Sequence, residues 1–200
     1  MERRRDNRMQ SDMSVPESLR FTYEDYVLLP EDRRYEVIDG ELYLTPSPTP
    51  YHQIVKQRIE RLLEGHVERE SLGIILDAPC DVVLSRFDVL QPDIFFIASS
   101  RLATIGEKYI SDAPDLVVEV LSPGTRKRDR FLKSKRYARF GVREMWIADP
   151  EKKTIEVFVN VKEVFRREAL YTGEDILLSP MFPGLQISLA RVFAEFRPSP

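Results

Sequence analysis

Two apolar runs in this chain, QPDIFFIA and LVVEVL, each carry one acid, Asp93 and Glu119, and a basic stretch follows the second at once. A carboxylate set among Leu, Val, Ile and Phe is costly to bury unless it is paired, protonated or metal-bound. Two such strands ahead of a lysine-bearing helix point to a divalent-metal site with an amine beside it. Residues 91–149 are therefore the organising stretch.

The remaining composition is that of an ordinary globular chain: 200 residues, 42% hydrophobic and 32% charged. That length suits one domain over residues 19–200, with residues 1–18 as a disordered N-terminal arm. A net charge of −3 supplies no overall field toward nucleic acid, so DNA contact must rest on a local patch. The lone Cys80 leaves no intramolecular disulfide and fits a reducing cytoplasm. No run approaches the ~20 apolar residues that a membrane span requires, and the start of the chain does not read as a secretory signal.

Thr22 is a candidate N-cap for a short helix. YEVIDGELYL reads as two strands joined by Asp39-Gly40, a strong hairpin signal. The prolines of TPSPTP force an irregular link, and residues 51–69 follow as an amphipathic helix with Ile54, Val55, Ile59, Leu62, Leu63 and Val67 at helical spacing. Strands are expected at 73–76, 80–84 and 93–98, with a polar loop over 99–113. A further strand DLVVEVL leads into a helix from about Arg126 to Gly141. REMWIAD, KTIEVFV and KEVFRREAL read as a three-stranded meander, and a short strand and small helix close the chain. This order predicts an α/β or α+β domain: a mixed sheet with helices against it.

Mg²⁺ takes oxygen ligands, typically one or two carboxylates with waters and substrate phosphate. Asp93 and Glu119 are the candidate pair, and the Val120 carbonyl is a third oxygen. Lys133 is the candidate for orienting or deprotonating the attacking water, or for neutralising charge at phosphorus. Asp129, Lys133 and Tyr137 recur every four residues and share a helical face, whereas Lys135 lies about 200° round the helix from Lys133. Glu36 could reach the same metal from the hairpin. His52 opens the long helix, where it could contact substrate. Arg126, Arg128 and Arg130 give the pocket a basic rim suited to a polyanion. Each of these also has a plain structural reading: a strand-edge cap, a solvated acid, an exposed Asp129–Lys133 pair or a solvated basic face. Glycine-rich phosphate loops, zinc spacings and a nucleophile elbow are absent from the sequence.

The hairpin, the link with His52, QPDIFF and APDLVVEVLSPGTRKRDRFLKSKRYARFGVREMWIADP together resemble the bacterial Uma-two family, restriction-type endonucleases of the PD-(D/E)XK superfamily. The resemblance spans roughly residues 20–195. It implies a restriction-endonuclease-like three-layer core with a central mixed β-sheet flanked by helices, Mg²⁺-dependent (or Mn²⁺-dependent) hydrolysis of DNA phosphodiesters, and a homodimer. It also implies that Asp93 is the first metal ligand, Glu119 the second, Lys133 the lysine displaced onto the helix, and Glu36 the N-terminal acid. The usual superfamily lysine two residues after the glutamate is here Leu121. Two alternatives stand beside the nuclease: an idle scaffold that grips nucleic acid through its basic face, and a phosphodiesterase acting on small nucleotides.

Overall fold

Asp39 and Gly40 both adopt left-handed backbone angles (φ 54° and 79°). This double requirement selects a turn whose twist matches its flanking strands. Strand β1 (Arg34–Ile38) therefore folds straight back onto β2 (Glu41–Thr45), with Ile38 opposite Glu41. The structure is a computed structural model and describes residues 19–30, 32–124 and 126–195. The arm expected over residues 1–18 lies outside the described residues.

Ahead of the hairpin, helix α1 (Tyr23–Tyr26) opens on a capping box. The Thr22 hydroxyl accepts from the Asp25 amide, and the Asp25 carboxylate accepts from the Thr22 amide. After the proline link comes α2 (Pro50–Arg69), capped by Thr49 with proline in its first turn. Its inner stripe, Val55, Ile59, Leu63 and Val67, is almost fully buried.

Strands β3 (Gly73–Asp77), β4 (Val82–Ser85), β5 (Asp88–Leu90) and β6 (Ile94–Ala98) follow, then a 3₁₀ turn at Ser99–Thr104 and β7 (Leu116–Val120). Helical residues 126 and 127 lead into a π-turn, Arg128–Lys133, and then α3 (Ser134–Arg139). The second half comprises β8 (Glu144–Asp149), β9 (Thr154–Val161), β10 (Val164–Thr172), β11 (Ile176–Leu177), β12 (Ile187–Ser188) and α4 (Leu189–Val192).

The larger sheet has the order β10-β9-β8-β7-β6-β3. Within it β7 and β8 alone run parallel, as their helical crossover demands, so the sheet is mixed. Strand alternation splits its side chains between two cores. Ile94, Phe96, Leu116, Val118, Val120 and Trp146 pack toward α2. Phe95, Ile97, Val117, Met145 and Ile147 pack toward Tyr137, Val142, Ile38 and Leu90. Glu119, between Val118 and Val120, falls on this second face.

The expected hairpin, long helix and β8–β10 meander are all present. Several details differ. Asp93 sits one residue ahead of its strand, and the 99–113 loop holds a 3₁₀ turn. β5 is a three-residue strand that joins β1, giving a second, antiparallel sheet of order β2-β1-β5-β4. That pairing unites residues about fifty positions apart, such as Val37 and Val89, which local sequence pattern does not reveal. It also places Glu36 over the second core.

Candidate active site

Glu36, from β1, is fully buried, and its Oε1 accepts from the Gln91 amide at 2.9 Å. The Lys133 ammonium lies 2.8 Å from the same oxygen and 3.2 Å from both oxygens of Glu119. Asp129, one helical step back, stands 3.5 Å from Lys133. Tyr137, a further step on, donates its hydroxyl to Glu119 at 2.7 Å. The Asp129–Lys133–Tyr137 face thus turns inward onto Glu119 and Glu36. Lys135 is exposed on another side.

Asp93 closes the constellation from the residue just ahead of β6. Its Oδ2 accepts from the Val120 amide at 2.8 Å and faces His52 Nε2 at 3.3 Å. About a fifth of its side chain is exposed, against 2% for Glu119 and 4% for Lys133. A narrow cleft with a volume of about 50 Å³ runs past Asp93, Glu119 and Lys133. His52, Lys56, Ser122 and Arg128 also line it.

Burial pushes the Glu119 carboxyl well above the usual carboxylate range, opposed by Lys133 and reinforced by Asp129, Asp93 and Glu36. For Lys133 burial works against the charge, but Glu119, Glu36, Asp129 and Asp93 more than offset it and the pKa is raised. Asp93 is also disfavoured by burial, yet the hydrogen bond and charge of His52, with Lys133 and the Val120 amide, hold it below its ordinary value. Burial and the Glu119 charge raise Tyr137 well above a normal phenol, so it remains a donor.

Among the described residues no group of three or more His, Cys, Asp or Glu side chains is arranged to hold a metal ion. The candidate donors are fewer: the carboxylates of Asp93 and Glu119, with Val120 lining the same cleft. This set suits Mg²⁺, which keeps several waters, rather than a cation needing an all-protein cage.

A family model described as "Uma2: Putative restriction endonuclease" matches residues 23–190. The chain belongs to the Uma2 family. Its fold is also that of a crystal structure from Anabaena variabilis described as a "putative nuclease belonging to DUF820". The TM-score is 0.73 at 20% identity, over 86% of this chain and 97% of that one. No curated protein matches.

Within this Uma2 chain, the basic run splits. Arg128 enters the site, 3.4 Å from Glu36 and only 11% exposed. Arg126 instead forks onto Asp149 at 2.5 and 3.2 Å and reaches Glu151 at 2.6 Å. Arg130 pairs with Glu156, which Arg167 also contacts. Their charges are therefore largely compensated within the fold. Sequence reasoning missed Lys56, Gln91 and Arg34, all of which line the cleft. Lys56 was findable, since it lies one helical step from His52. Its buried ammonium is held by Asp77 at 2.5 Å and the Ala78 carbonyl at 3.1 Å. No helix among the described residues is long and apolar enough to cross a membrane.

Proposed function

We propose that this chain is a Mg²⁺- or Mn²⁺-dependent endonuclease that hydrolyses DNA phosphodiester bonds, working as a homodimer. One observation carries the proposal: Asp93 just ahead of β6, Glu119 on β7 and Lys133 in the π-turn line the same cleft. Asp93 and Glu119 would hold the cation, with the Val120 carbonyl and water completing its shell. The chemistry such an ion supplies when bound is polarisation of the phosphoryl group and activation of a water.

The chain's own residues do the rest. Lys133, kept as an ammonium between Glu36, Glu119 and Asp129, adds positive charge where the phosphoryl group becomes most negative. Glu36 and Tyr137 fix the lysine and Glu119 in place; neither needs to touch substrate. His52 orients Asp93 and presents a ring edge to the cleft. Arg128 is the phosphate contact nearest the reacting centre. Arg126 and Arg130 are rim charges whose acid partners compete with phosphate. A cation at Glu119 competes with Lys133 for the same oxygens, which favours weak metal affinity.

The near-complete burial of the Glu119–Lys133 pair favours a second assignment, a nuclease scaffold that binds nucleic acid without cutting it. Incubating supercoiled plasmid with Mg²⁺ or Mn²⁺ separates the two. The endonuclease nicks or linearises plasmid, and Glu119→Ala abolishes this. Metal-independent binding without any strand break identifies the idle scaffold. Cleavage that persists in Glu119→Ala refutes the site assignment.

A further inference from the structure

The π-turn that carries Asp129 and Lys133 inward also carries two large apolar side chains outward. Phe131 is 60% exposed and Leu132 39%, and Leu44 of β2 stands beside them at 52%. A π-turn inserted in a helix commonly marks a functional site. Adjacent exposed Phe and Leu on a short helical segment also have no packing reason to be apolar.

These residues, with Tyr43, Lys127 and Arg128, line a shallow depression next to the cleft. Arg128 lines both, and its guanidinium lies 5.8 Å from the Tyr43 ring centroid. Lys127 is exposed on the rim. An apolar floor with a basic rim, joined to the cleft through Arg128, suits a nucleotide better than a purely apolar protein surface. Proteins that take single strands pair stacking aromatics with a cationic track for the backbone.

We infer that Phe131 is a base-stacking residue: the Phe131–Leu132–Leu44 face receives an unpaired nucleobase next to the phosphate that enters the Asp93–Glu119 cleft. This rests on the nuclease reading above and narrows its substrate. A base inside a duplex already has both faces stacked, so the platform favours single-stranded or frayed nucleic acid.

Binding of the full-length protein to a 2-aminopurine-labelled single-stranded oligonucleotide, in EDTA to prevent cleavage, tests the inference. Stacking on Phe131 quenches the 2-aminopurine fluorescence. Phe131→Ala should restore the fluorescence and weaken binding about tenfold, whereas Phe131→Trp should retain both. A matched duplex should bind more weakly than the single strand and show little dependence on residue 131. Salt-sensitive binding that is identical in wild type and Phe131→Ala overturns the inference and leaves the nuclease reading standing. Absence of binding to either nucleic acid, both in EDTA and with Ca²⁺ in place of Mg²⁺, overturns both. A dimer that dissociates in Phe131→Ala, seen by light scattering, with oligonucleotide affinity unchanged, overturns the inference by assigning the patch to a second copy of this chain.

Discussion

The Lys133 ammonium sits 3.2 Å from each carboxylate oxygen of Glu119, with both side chains almost wholly buried. Neither charge has water to fall back on, so each depends on its buried neighbours: Lys133 on Glu119, Glu36 and Asp129, and Glu119 on Lys133 and Tyr137. Removing the lysine alone leaves Glu119, Glu36 and Asp129 crowded without their shared cation.

Lys133→Met should therefore destabilise the fold by about 3–5 kcal/mol, the cost of breaking a buried pair from one side. Lys133→Met combined with Glu119→Gln should recover part of that loss. Urea unfolding of the single and double variants against wild type measures it. A single Lys133→Met change with unaltered stability contradicts the described burial.

Asp149 gives a pH-dependent case away from the cleft. Burial opposes its charge, but the forked Arg126 contact and the Lys152 amide lower its pKa below the ordinary 3.8. A depressed carboxylate stabilises the folded state above the unfolded-state pKa, and that stability is lost as pH falls through the folded value. Asp149→Asn should thus cost on the order of 1–3 kcal/mol at neutral pH. The gap to wild type should persist down to about pH 4 and close below it. Denaturant titrations at stepped pH would show this, and a constant gap down to pH 2 would contradict it.

Gly40 takes a φ of 79°, and a Cβ there would lie 2.6 Å from the Arg20 side chain. Gly40→Ala should destabilise by more than about 1 kcal/mol, since a left-handed backbone strains any residue with a Cβ. Thermal melting checks this. An unchanged Tm would mean the hairpin turn relaxes.

Two arginines of the basic run should separate by readout. Arg128→Ala should weaken DNA binding and reduce its salt dependence, because Arg128 lines the cleft. Arg130→Ala should act chiefly on stability, because it strips a partner from the buried Glu156. Anisotropy titrations at several salt concentrations, alongside melting curves, distinguish the two. Equal effects of both substitutions on the salt slope would contradict the split.

Local chemistry made part of this molecule legible in the sequence. Asp39-Gly40 encodes its hairpin because few residue pairs accept two left-handed conformations. Asp129, Lys133 and Tyr137 announce a shared face through helical spacing. The partners on that face were less readable. Glu36 reaches Lys133 only because the three-residue β5 draws β1 over the second core, a pairing of distant residues. Likewise the basic run reads as one patch in sequence. In the fold Asp149 and Glu156, on β8 and β9, neutralise two of its members, a relation that no spacing within the run could reveal.

The central claim is that Asp93, Glu119 and Lys133 act together on a phosphodiester. Its most direct test is the rate of cleavage of a labelled DNA substrate in Mg²⁺ by wild type, Asp93→Asn and Glu119→Gln, with folding verified by circular dichroism. The account predicts metal-dependent cleavage by wild type and a loss on the order of a hundredfold or more in each folded variant. Cleavage at the wild-type rate by either variant, or cleavage undiminished in EDTA, would contradict it.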